Sequence, residues 1–339
     1  MEGQLSLGIL LGLIVIALAF DFLNGFHDAA NGISTVVSTR VLKPYQAVVI
    51  AAMMNFIAVF IFHLSVAATV GKGIIDTGIV DHYVVLGALV GAISWNILTW
   101  YYGIPSSSSH ALIGGLVGAG VAKAGTWALI PAGILKTVAF IFISPLLGFL
   151  LGSLLFLSIS WIFVRSTPSR VDRIFRRLQL VSSSLYSLGH GGNDAQKTIG
   201  IIWMLLVAAG YVGMEESAPP WWVVIVCYIA IGAGTMFGGW RIVKTMGQRI
   251  TKIRPVGGFC AELSGSVALF LATALGIPVS TTHTITGSIV GVGAAQSVSA
   301  VRWGVAGNLL WAWILTIPCS AFVAGAAWYL GRLLLAPTP

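Results

Sequence analysis

Residues 103–114 read Gly103-Ile-Pro-Ser-Ser-Ser-Ser-His110-Ala-Leu-Ile-Gly114, and they return as residues 276–287, Gly276-Ile-Pro-Val-Ser-Thr-Thr-His283-Thr-Ile-Thr-Gly287. A run of hydroxyls behind a proline and ahead of an apolar stretch reads as a helix N-terminus. Its unpaired N–H groups and dipole favour an anion. A second pair frames the first: Gly25-Phe-His-Asp28-Ala-Ala-Asn31 is echoed by Gly191-Gly-Asn-Asp194-Ala-Gln-Lys197. Asp28 and Asp194 lie 166 positions apart, Ser107 and Ser280 lie 173 apart, and one duplication with a seven-residue insertion accounts for both offsets. Polar residues at matching depth in two halves point to a shared central site.

The surroundings of these motifs decide the class. Of 339 residues, 57% are hydrophobic and 8% charged, against roughly 25% charged in soluble domains, and the mean hydropathy is +0.95. This is an integral membrane protein. Its apolar runs approach or exceed the roughly 20 residues a helix needs to cross a bilayer, without the alternation of a barrel, so the expected fold is all-α and polytopic. The net charge of +8 comes from Lys and Arg in short loops, which speaks for topology rather than nucleic-acid binding. Cys227, Cys260 and Cys319 are isolated, without metal-ligand spacing, and are expected to pack. The run beginning at Leu5 continues into Asp21 and reads as a retained first helix rather than a cleaved signal.

Ten apolar segments are expected, at about 5–39, 45–70, 83–102, 104–122, 130–164, 180–212, 221–240, 255–275, 277–296 and 303–335, five in each half. The stretches 165–177 and 241–254 each hold five Lys or Arg residues and read as cytoplasmic loops, whereas the stretch with Glu215, Glu216, Pro219 and Pro220 suits the outside. An odd number of crossings per half inverts the second half relative to the first. The expected division is a first inverted repeat at 1–164, a basic cytoplasmic linker at 165–179 and a second repeat at 180–339. The Ser/Thr-rich segments are short and Gly-rich, so broken helices or re-entrant hairpins are expected there.

Four acidic residues, Asp21, Asp28, Asp194 and Glu262, are embedded in apolar surroundings. Buried carboxylates in a membrane face a cavity or a pathway, so all four are candidates for holding a coupling cation or a proton. Asp21 has no counterpart in the second half, and Glu262 stands opposite Leu89. Glycines beside Asp28 and Asp194 suggest unwound backbone, whose carbonyls with Asp28, Asn31, Asn193 and Asp194 would give Na⁺ an all-oxygen environment. Ser106, Ser107, Ser108, Ser109, Ser280, Thr281 and Thr282 are the candidate anion ligands. No Walker pattern is present. His110 and His283 either orient these hydroxyls or pack. Lys197, three residues after Asp194, either pairs with it on one helix face or neutralises the anion directly.

The four motifs in this order resemble the inorganic phosphate transporter (Pit) family, whose signature is a duplicated Gly-Ala-Asn-Asp-Val-Ala-Asn type motif together with Pro-Xaa-Ser-Xaa-Xaa-His segments. The resemblance spans residues 21 to about 293. It implies import of inorganic phosphate across the cytoplasmic membrane by symport with H⁺ or Na⁺ and alternating access, with no cofactor. His27, Gln196 and Lys197 depart from the signature; the second motif resembles bacterial members regarded as proton-coupled carriers of metal-phosphate complexes, which leaves the coupling ion open. The expected partners are phosphate, the coupling cations and the bilayer. The sequence leaves the oligomeric state open, a homodimer among the options. The competing readings are a sulfate or other oxyanion permease on the same fold and, more remotely, an intramembrane serine hydrolase built on Ser109 and His110; a hydrolase has no use for the motif twice.

Overall fold

Proline at the first turn starts four of the helices, α2, α6, α7 and α10, where its missing N–H is no loss. In the computed structural model, which describes residues 6–213, 216 and 218–335, the first half runs α1 (Leu7–Ser38), α2 (Pro44–Ile57), α3 (Ser65–Gly73), α4 (His82–Tyr102), α5 (Ser108–Ala124) and α6 (Pro131–Ile162). The second half repeats that order as α7 (Pro168–Ala208), α8 (Trp221–Phe237), α9 (Trp240–Lys244), α10 (Pro255–Ala274), α11 (Thr281–Gln296) and α12 (Trp303–Leu335). No strand occurs among the described residues. Glu215 lies outside them.

Five helices, α1, α4, α6, α10 and α12, are long and apolar enough to cross a membrane. Two bent pairs raise the number to seven: α2 with α3, turned by 81°, and α8 with the segment from Trp240 to Arg249, turned by 60°. α7 fails that test by composition, since arginines fill its start and the polar motif its middle. Other helices encase it instead, and residues 186–206 are all buried. α5 and α11, with 17 and 16 residues, fall short of the roughly 20 needed for a crossing. With α4 and α10 they form the hairpins expected at the Ser/Thr motifs.

The halves interlock by exchanging their last helices. α6 packs on α10 and α11, while α12 packs on α4 and α5. The dockings correspond: a Cβ at Gly114 would press on the Ile317 and Ser320 of α12, and one at Gly287 on the Pro145 carbonyl of α6. Pro145 and Pro318, the two prolines inside helices, are themselves 173 positions apart. α1 and α7 run antiparallel. Asp21 midway along α1 meets Thr198 late in α7 at 2.9 Å, and Thr39 just past the end of α1 meets Gln179 early in α7 at 2.9 Å.

Two expectations are corrected. The basic stretches are not loops: α7 begins at Pro168 and carries Arg170, Arg173, Arg176 and Arg177 on its first turns, and α9 continues into a π-helix over Thr245–Arg249, so that residues 165–167 and 250–254 alone of the two stretches are non-helical. Charge marks where a helix leaves the apolar layer, but Arg is a good helix former and does not end it. The backbone beside Asp28 and Asp194 is not unwound either, since α1 and α7 are continuous through both motifs. Their glycines serve close approach instead: a side chain at Gly25 would strike the Ile231 carbonyl of α8, and one at Gly191 the backbone of Asn55 in α2.

Candidate functional site

Each hydroxyl motif is set by the same local construction. After α4 and α10 the chain reverses through Gly103 and Gly276, both left-handed with φ near +65° and +64°. Ile104 N–H bonds back to the Thr99 carbonyl at 2.8 Å and Ile277 N–H to the Ala272 carbonyl at 2.9 Å, the pairing that closes a helix end with a left-handed glycine. A short extended segment follows. Ser107 then caps α5 by accepting the His110 N–H at 3.2 Å, and Ser280 caps α11 by accepting the His283 N–H at 3.1 Å. The other first-turn N–H groups of each helix have no intrahelical partner, and the residues that carry them are buried.

The two capped ends converge beside the middle of α7. The Lys197 ammonium donates to the Asp194 carboxylate, to the Ser109 hydroxyl at the head of α5 and, at 2.8 Å, to the Val279 carbonyl just ahead of α11. Thr281 donates to the other Asp194 oxygen at 3.1 Å. From α1, Asn31 Nδ2 donates to Thr281 and Thr282 at 3.2 and 3.0 Å. The rings of His110 and His283 stand 4.8 Å apart and edge-on, none of their nitrogens having a hydrogen-bond partner. Trp313 of α12 stacks on His283 at 3.9 Å and donates to the Pro105 carbonyl at 3.0 Å, tying the two motifs together. All candidate residues here are at most 2% exposed, so the site is shielded from solvent.

Asp28, His190 and Asp194 form a cluster whose ligand atoms lie within 4.8 Å of one another. His190 approaches Asp194 at 3.2 Å, and His27 holds Asp28 at 2.6 Å while its other nitrogen meets Thr99 at 3.1 Å. Asn193, the repeat counterpart of His27, contacts Thr273 at 3.0 Å and the Ile277 carbonyl at 3.1 Å. The Oδ1 atoms of Asn31 and Asn193 are buried without a hydrogen-bond partner. Two carboxylates and an imidazole this close together are a donor set able to hold a cation or a proton.

Several expected residues stand elsewhere. Glu262 is not in this cluster: it accepts from the Thr35 hydroxyl, from Ser182 at 2.5 Å and from Gln179 at 3.0 Å, about a turn further along α1. Asp21 lies toward the opposite end of α1, one oxygen taken by Thr198 and the other without a partner. The Ser106 hydroxyl is held by Trp95 at 2.9 Å and Thr316 at 2.9 Å, at the α12 side. Ser108 Oγ, by contrast, is buried without a partner. His190 was not expected; its signal is its place four residues before Asp194 on the same face. Thr35, Gln179 and Ser182 carry no sequence signal, because two helices distant in sequence, α1 and α7, bring them to Glu262 on α10.

A family model described as the phosphate transporter family (PHO4) matches residues 24–324. A protein described as a probable low-affinity inorganic phosphate transporter, from Rhizobium meliloti, is 61% identical over 333 residues, covering 98% of this chain and 99% of the relative. One of the same description from Bacillus subtilis is 47% identical over 320 residues, covering 94% and 96%. A solved structure described as the sodium-dependent phosphate transporter superposes with a TM-score of 0.88 at 26% identity, over 97% of this chain and 100% of that one. The chain belongs to the phosphate transporter family, a family of multi-pass membrane carriers and not of enzymes.

Proposed function

We propose that this member of the phosphate transporter family imports phosphate across the cytoplasmic membrane by cation-coupled symport. One phosphate is held between the N-termini of α5 and α11, and the two halves rock about it by alternating access. The observation that carries this is the convergence of both hydroxyl motifs on one point: Lys197 bridges Ser109 and Val279, and Asn31 reaches Thr281 and Thr282. Hydroxyls and first-turn N–H groups replace the water shell of a tetrahedral oxyanion. The antiparallel course of α1 and α7 supports two inverted repeats, 1–164 and 180–339, joined through 165–179.

Charge supplies the need for coupling. A phosphate dianion entering a negative-inside cell works against about 4.6 kcal/mol per 100 mV, twice the roughly 2.3 kcal/mol of a single charge. Co-transported Na⁺ or H⁺ offsets it, and Asp28, His190 and Asp194, with the open oxygens of Asn31 and Asn193, are the groups to hold it. The sodium dependence in the description of the structural relative supports Na⁺ as one candidate. The same carboxylates favour phosphate over sulfate: monohydrogen phosphate brings an O–H that a carboxylate accepts, whereas sulfate meets only repulsion.

The experiment is phosphate uptake into proteoliposomes with Na⁺ and H⁺ gradients imposed separately, with sulfate as competitor. Accumulation driven by at least one gradient and unaffected by sulfate is expected. Equilibration independent of both gradients, or equal competition by sulfate, would overturn the symport reading.

A further inference from the structure

The repeat makes Asn31 the counterpart of Lys197, since both stand three residues after the motif aspartate. The two side chains do different work. Asn31 lends its amide to Thr281 and Thr282 and keeps a bare buried oxygen. Lys197 ends in a cage of three oxygens of three kinds: the Asp194 carboxylate, the Ser109 hydroxyl and the Val279 carbonyl. An ammonium has three donors and no acceptor, so each donor is taken and none is left for an anion. Carboxylate, hydroxyl and carbonyl oxygens converging on one positive charge are the ligands of a hard metal cation. Here a side chain supplies the charge.

We infer that Lys197 is a tethered cation: its ammonium fills, in the second half, a place that an alkali-metal cation would otherwise take against Asp194, and shuts that cation out. A charge fixed to the chain neutralises Asp194 in every state and helps draw phosphate to the motifs, but it cannot leave with the substrate. The second half therefore contributes attraction without taking up an ion, and exchangeable cation binding falls to the Asp28 side, where Asp28, His190 and the open oxygen of Asn31 are available. This consequence for the cycle rests on the symport reading; the occupancy of the cage does not.

The test is Lys197→Asn in the full-length purified carrier, with thermal unfolding followed in NaCl, in KCl and in choline chloride, all without phosphate. Choline is too large for the cage. The variant is expected to gain several degrees in Tm in NaCl or KCl over choline, rising further with each tenfold increase in salt as mass action requires, while wild type changes little between the three. Lys197→Met, which removes the charge but fills the cage with an apolar chain, is expected to lack the response. Where Lys197→Asn folds only when extracted in Na⁺ or K⁺, that rescue counts as the predicted result. Equal behaviour of variant and wild type in the three salts, or failure of the variant in all of them, would overturn the inference. In proteoliposomes the same variant is expected to gain a steeper dependence of phosphate uptake on the alkali cation. Uptake scaled down uniformly at every cation concentration would show that Lys197 acts only through its field. If wild type carries no phosphate at all, the symport reading falls, and the salt-dependent Tm of the variant still decides this one.

Discussion

The two halves share a frame and differ in charge. In both, a left-handed glycine closes one helix, a serine caps the next, and a glycine in its second turn receives the last helix of the other half. The aspartates also correspond, yet Asp28 is partnered by His27 and Asp194 by Lys197. Backbone geometry is what duplication has preserved; electrostatics is where the copies have diverged. The matching positions of the two halves have become unequal, one with a lysine against its aspartate and one with a histidine.

The largest expected effect breaks the more charged side of that comparison. Asp194→Asn leaves the Lys197 ammonium buried without its carboxylate, and removing one member of a buried pair typically costs about 3–5 kcal/mol. The variant should lose both phosphate uptake and thermal stability, and the double variant Asp194→Asn with Lys197→Met should recover much of the stability but none of the uptake. Asp28→Asn is the matching probe of the other half. It should abolish uptake with a much smaller fall in Tm, since no lysine is stranded; a loss of stability as large as that of Asp194→Asn would show that the halves are not electrostatically distinct.

Next in size comes Ser108→Ala. Its hydroxyl has no partner within the protein, so removal should leave Tm unchanged while weakening phosphate binding by roughly 1.5–3 kcal/mol, the range for a hydrogen bond to a charged group. Calorimetric titration with phosphate reads this directly, and Ser106→Ala, whose hydroxyl is spent on Trp95 and Thr316, should change affinity far less. Smallest are the paired glycine probes Gly114→Ala and Gly287→Ala, which press a methyl on α12 and α6 respectively. Overpacking of this kind costs about 1–3 kcal/mol. Near-equal falls in Tm would support equivalent docking of the exchanged helices, and a large inequality would argue against it.

Much of this frame is legible in the sequence. Composition and run length give the helical membrane class, and the repeated Pro-then-hydroxyl pattern signals two helix starts, which fall at Ser108 and Thr281, three residues beyond each proline. The 173-residue offset, first seen between Ser107 and Ser280, also matches Pro145 to Pro318. Glycine misleads at Gly25 and Gly191, because the same residue permits both unwinding and close approach, and only the neighbouring helix decides which. The arginines of 165–177 hide the start of α7, since helix propensity and membrane burial are separate matters. The partners of Glu262 are drawn from two other helices and the cage around Lys197 from three elements, and no local pattern encodes such a meeting.

The central claim is that one phosphate bridges hydroxyls of both halves. A double-mutant cycle across the halves tests it most directly: phosphate affinity by calorimetry for wild type, Ser108→Ala, Thr282→Val and the pair, with Tm measured alongside to exclude a shared folding defect. If both groups touch the same anion, each single variant weakens binding and the two losses are coupled by about 0.5–3 kcal/mol, the range for residues sharing a partner. Unchanged affinity in either single variant, or losses that add to within roughly 0.3–0.5 kcal/mol, would contradict the claim and place the phosphate on one half alone or elsewhere.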